Sequence, residues 1–76
     1  MTHDEFNTLA ALTRLSERGR RAARRVLVDG LTVAQVAREL GIGWPSVGRY
    51  RDSIISAKRK AESRESAERV RKFYLP

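Results

Sequence analysis

Residues 32–52, TVAQVARELGIGWPSVGRYRD, constrain the chain to two short helices that meet at a fixed corner. Such a corner needs a small residue where the helices cross, and Ala37 stands there. Four residues on, Gly41 tolerates the positive φ that a sharp turn requires. Apolar residues must then close the angle from both arms. Val33, Val36 and Leu40 precede the corner, Ile42 lies in it, and Val47 and Tyr50 follow. Each feature is common alone, but the set in register over about twenty residues is not. This is the spacing of a helix-turn-helix, whose second helix is presented to a DNA major groove.

The flanking sequence predicts more helix. Thr2 and Glu5 are spaced as a capping box, and Phe6, Leu9, Ala10 and Thr13 follow one stripe, which predicts a first helix over about 3–14. Ser16 is the next N-cap, with Glu17 favourable at the positive helix end. Ala22, Ala23, Val26 and Leu27 give the second helix an apolar face, and Asp29-Gly30 ends it. Thr32 and Gln35 form another capping box at the start of the third helix, which runs to Leu40. Gly41-Ile42-Gly43 makes the turn, and the fourth helix starts near Trp44-Pro45, where proline is tolerated. Beyond Asp52 the pattern thins. Helix is expected to about residue 60, followed by a second helix or a long continuation. The fold class is therefore all-α: a small helical bundle containing a helix-turn-helix, with a C-terminal helical extension. Residues 1–52 form the expected DNA-binding domain and 53–76 the extension.

Charge narrows the partner. Sixteen Lys+Arg against nine Asp+Glu give +7, which favours a polyanion. The excess flanks the motif: +3 over residues 17–31 and +4 over 53–76, against +1 in the motif itself. Thirteen of the sixteen cations are arginine, the side chain suited to forked contacts with phosphate or guanine. Cysteine is absent, which excludes disulfides and fits a reducing compartment. No apolar run reaches membrane-spanning length, and MTHDEFN does not read as a signal peptide, so a cytoplasmic protein is expected. An enzyme is hard to build here. His3 is the single histidine, no spacing suits a metal, no glycine-rich phosphate loop occurs, and Ser46 and Ser53 lack a neighbouring base. No catalytic set, cofactor or small-molecule ligand is implied.

The expected partner is double-stranded DNA. The first turns of the second motif helix face the groove, so Trp44, Pro45, Ser46, Gly48 and Arg49 are the base-reading candidates. Arg49 leads them, because arginine forks onto guanine O6 and N7. Trp44 either presses on a thymine methyl or deoxyribose, or packs on the second helix. Gly48 costs about 1 kcal/mol relative to alanine in a helix interior and is either an opening for the DNA backbone or a weak point. Backbone-contact candidates are Thr32, Gln35 and Arg51, the helix-2 arginines Arg20, Arg21 and Arg24, and Lys58, Arg59 and Lys60. A homodimer is expected through the extension, where Ile54 and Ala57 lie on one face and Val70, Phe73 and Tyr74 roughly opposite.

Within residues 20–52, Arg24-Arg25-Val26-Leu27-Val28-Asp29-Gly30 leads straight into the motif, followed by the Leu40-Gly41-Ile42 turn and Val47. On these residues the chain resembles the plasmid KorA/TrfB-type transcriptional repressors. The resemblance implies an all-helical DNA-binding domain, and a dimer on a palindromic operator at plasmid maintenance or transfer promoters. The chain departs from the family at Trp44, Pro45, Gly48 and Arg49, so the family's operator sequence does not carry over. Two other classes fit the residues: a protein-interaction module such as an antitoxin or adaptor, and an accessory DNA-binding protein of partition or recombination.

Overall fold

In the computed structural model, which describes residues 1–74 and side chains as far as Ser63, four helices follow one another: α1 (His3–Ala11), α2 (Glu17–Leu27), α3 (Val33–Leu40) and α4 (Trp44–Tyr74). The first three begin at side-chain caps. Thr2 Oγ1 accepts from the Glu5 amide at 3.1 Å, Ser16 Oγ from the Gly19 amide at 3.2 Å, and Thr32 Oγ1 from the Gln35 amide at 3.1 Å. Each hydroxyl satisfies an amide that has no partner within its own helix. The box at Thr32 is reciprocal, since its amide donates to Gln35 Oε1 at 2.9 Å. The box expected at Thr2 is only half made. The Glu5 carboxylate instead meets Lys58 Nζ at 3.2 Å, because α4 passes beside α1.

One boundary differs from expectation, and one of two expected alternatives is taken. α1 stops at Ala11 rather than near residue 14. The Leu12 and Thr13 amides close tightly onto the carbonyls of Leu9 and Ala10, and Thr13 Oγ1 donates to the Ala10 carbonyl at 2.9 Å, which satisfies two of the carbonyls in the last turn. α4 takes the long continuation and runs unbroken through 52–53.

The corners are set by glycine where φ demands it. Gly41 sits at φ 65°, and the Ile42 amide behind it reaches back to the Ala37 carbonyl at 3.0 Å, which closes α3. Gly30 sits at φ 76° after the VLVD run, where Asp29 meets Arg25 at 2.9 Å. Arg25 also reaches Glu39 of α3 at 2.6 Å, tying the end of α2 to α3. Those hydrogen bonds, Glu39 first and then Asp29, raise the pKa of the Arg25 guanidinium above its ordinary value.

The core has two joined parts. Ala22, Val36 and Val47 are fully buried, with Val26, Leu31, Val33, Ala37, Leu40, Ile42 and Tyr50 around them. Every apolar residue expected to close the helix-turn-helix angle is in this group. Phe6, Leu9, Ala10, Ala23 and Ile54 form the second part, against which Leu15, Leu27, Val28, Tyr50 and Ala57 pack. Tyr50 belongs to both and joins them. α2 is pressed close to α4 there: a Cβ on Gly19 would stand 2.9 Å from Tyr50 Cδ1. Small residues at Gly19, Ala22 and Ala23 make that approach possible, and all three are buried.

Candidate nucleic-acid interface

A helix of 3.6 residues per turn separates α4 into two sides. Val47 and Ile54 are fully buried and Tyr50 half-buried on one side. Pro45, Arg49, Asp52 and Ser56 are exposed on the other, with half-buried Gly48 among them and Trp44 at its edge. Trp44 is 69% exposed, which excludes the reading that packs it on the second helix. Gly43 opens the helix, its carbonyl accepting from the amides of Ser46 and Val47 at 3.1 and 3.3 Å. Pro45 falls in the first turn, where its missing N–H leaves no bond unmade.

This outer side is not shaped by internal packing. A Cβ on Gly48 would meet only an Arg51 guanidinium nitrogen, at 3.9 Å, so nothing among the described residues requires glycine there. Arg49 forms no ion pair among the described residues, and its backbone carbonyl accepts from Ser53 Oγ at 3.1 Å. Arg51 is half-buried and its Nε meets the Asp52 carboxylate at 3.1 Å, placing one compensated charge pair beside the free Arg49.

The other expected contacts divide by position. Thr32 and Gln35 are exposed at the start of α3. Their capping bonds occupy a hydroxyl oxygen and an amide oxygen, which leaves the Thr32 O–H and the Gln35 NH2 free to donate outward, as a phosphate requires. Arg38 lies one turn beyond Gln35, exposed and without an ion pair among the described residues. Sequence reading passed over it, although its three-residue spacing from Gln35 puts both on one side of α3. Arg59 and Lys60 are exposed on α4, whereas Lys58 is held by Glu5.

On α2, Arg20, Arg21 and Arg24 are exposed, and none forms an ion pair among the described residues. Gly19, Ala22, Ala23 and Val26 turn inward, and at about 100° per residue Arg21 and Arg24 project from the opposite side of α2. Ile54, expected between two copies, is fully buried among Phe6, Leu9 and Ala23 of its own chain, so no second copy can reach it. Ala57 is half-buried against the same core. The side chains of Val70, Phe73 and Tyr74 lie outside the described residues.

A small all-helical protein with two central helices meeting across a three-residue turn is thus established. The KorA family model, described as TrfB plasmid transcriptional repressor, matches residues 1–76, and the chain belongs to that family. The match is wider than the 20–52 stretch that carries the resemblance in sequence, and includes α1 and all of α4. No curated protein and no solved structure matches the chain. No helix among the described residues is long and apolar enough to cross a membrane.

Proposed function

We propose that this plasmid transcriptional repressor reads a specific operator with the outer side of the first turns of α4. The observation that carries this reading is the combination of an exposed Trp44, an Arg49 without an ion pair among the described residues and a Gly48 with no tight neighbour, on a helix whose Val47 and Ile54 are buried on the other side. Arg49 forks onto a guanine edge, and the Trp44 ring lies on a thymine methyl or a deoxyribose. Pro45 and Gly48 bring the backbone close, and Ser46 donates to a phosphate. Thr32, Gln35, Arg38 and Arg51 fix the register through phosphates, and Arg59 and Lys60 extend the charged path along α4. Their neutralising contacts make binding fall with salt without encoding sequence.

The operator is a palindrome bound by a homodimer, with half-sites about one helical turn apart. Ile54 being committed to the core, the contact between copies falls to Ala57 and the residues after it, Val70, Phe73 and Tyr74 among them. Occupancy of a promoter-proximal palindrome excludes RNA polymerase. Selection of random duplexes on the purified chain, read by sequencing at near-physiological salt, tests the reading. An enriched palindrome is expected. Salt-sensitive binding without any enriched sequence would overturn it.

A further inference from the structure

We infer, on the reading of α4 proposed above, that Asp52 is a second specificity-determining residue of that surface. Its carboxylate accepts from the N4 amino group of a cytosine close to the guanine read by Arg49. Position is the first ground. Asp52 stands two residues from both Tyr50 and Ile54, which at about 100° per residue puts it roughly 160° from each, opposite the packed side. It is exposed, three residues after Arg49 and four after Gly48, so the three share the outer side. The rise from Arg49 to Asp52 is about 4.5 Å, little more than the step between neighbouring base pairs.

Charge is the second. Asp52 is the one acidic residue between Glu39 and Glu62, in a stretch that carries five cations. A carboxylate on a helix that meets a polyanion costs affinity, because the phosphates repel it. The fold does not offset that cost. The pair between Asp52 and Arg51 is exposed, and exposed pairs add little to stability. No other side-chain hydrogen bond or ion pair among the described residues involves Asp52. An acceptor that weakens general binding and adds little to the fold has its use in a donor on the DNA.

Geometry is the third. Arg51 Nε meets Asp52 Oδ1 at 3.1 Å, which occupies one carboxylate oxygen and one of the guanidinium N–H groups. Oδ2 is left to accept from a base, and the remaining Arg51 N–H groups are left for phosphate. Base chemistry then selects the occupant. An ionised carboxylate only accepts, and the donors in the major groove are cytosine N4 and adenine N6. Adenine N6 lies between two acceptors, its own N7 and the O4 of the paired thymine. Cytosine N4 has an acceptor on one side only, the O6 of the paired guanine. A carboxylate is therefore repelled less at cytosine.

The test is selection of random duplexes at about 150 mM salt on the full chain and on Asp52→Ala, Asp52→Asn and Arg49→Ala. All three substitutions fall on exposed residues, so the variants fold. The unaltered chain should enrich a cytosine within about two base pairs of the position that Arg49→Ala relaxes. Asp52→Ala should lower the preference for that cytosine by about fivefold or more, and Asp52→Asn should move it to adenine, whose N6 and N7 an amide pairs. Affinity of both Asp52 variants for a random duplex should rise by about twofold or more, through loss of a repelling charge. The cytosine contact is overturned if Asp52→Ala only raises general affinity and leaves every base preference unchanged, which would make Asp52 a repelling charge alone. Loss of affinity on operator and random duplex alike would also overturn it, by making Asp52 a positioning residue for Arg51. So would relaxation confined to the base pair that Arg49→Ala relaxes. Enrichment of no sequence by the unaltered chain overturns the contact together with the reading it rests on, whereas each of the other failures leaves an enriched operator and overturns the contact alone.

Discussion

The two sides of α4 obey different rules. On the inner side each residue type is accounted for by a neighbour in the same chain. Val47 fills the angle with Val36 and Ala22, Ile54 fills the space by Phe6 and Leu9, and Tyr50 lies against the bare Cα of Gly19. On the outer side no such accounting is possible. An exposed tryptophan, a proline, a glycine with no tight neighbour and an arginine without an ion pair among the described residues follow within six positions, and no contact among the described residues asks for them. A buried side is specified by packing; we attribute the residues of the uncovered one to the operator proposed above. Two glycines make the contrast sharp. Gly19 is required by the fold, and Gly48 is not.

The largest effect is expected at Ile54. Replacing it with alanine removes a fully buried side chain and should cost about 2–5 kcal/mol in chemical denaturation, a large share of the stability of so small a domain. A cost below about 1 kcal/mol would mean that the side chain is not packed in the core. On the other side, Arg49→Ala should lower operator affinity by about 1–3 kcal/mol and relax preference at one base pair. Its unfolding should move by no more than about 0.5 kcal/mol, as for an exposed residue. Equal loss on operator and random duplex would reduce Arg49 to a phosphate contact. Gly19→Ala should destabilise by about 1–3 kcal/mol, because the new methyl enters the Tyr50 ring and the seam between α2 and α4 must open. Stabilisation by the helix-propensity gain alone would show that the seam yields freely.

Much of this frame was legible in the chain. Thr2, Ser16 and Thr32 announce three helix starts through short-range hydrogen bonding, and Gly41 announces the corner through its φ. The apolar set from Val33 to Tyr50 announces its own packing because its spacing is that of a known angle between helices. What was not legible depends on distance in sequence. An apolar stripe does not say whether its partner is the same chain or a second copy, so Ile54 read as an interface residue. Arginines on a helix declare a charge but not a direction, and only the inward set Gly19, Ala22, Ala23 and Val26 shows that Arg21 and Arg24 project from the opposite side of α2. Those small residues at three- and four-residue spacing were the available sign of a close helix crossing. After Ala61 the sequence carries charged pairs rather than a packing stripe, and nothing local separates a continuing helix from a new one. The candidates on the outer side were legible as positions in a motif. The exposure of Trp44 was not, because an aromatic at a helix start suits either side.

The smallest effect is also the most direct test that the outer side of α4 is shaped for DNA rather than for the fold. Gly48→Ala should be measured for unfolding and for operator affinity on one preparation. Stability is expected to rise by about 0.5–1 kcal/mol, since alanine is the better helix former and its methyl meets only a guanidinium at 3.9 Å. Operator affinity is expected to fall at the same time, because the methyl stands where the duplex must approach. A variant that is more stable and binds its operator as well as before would contradict that role for the outer side of α4.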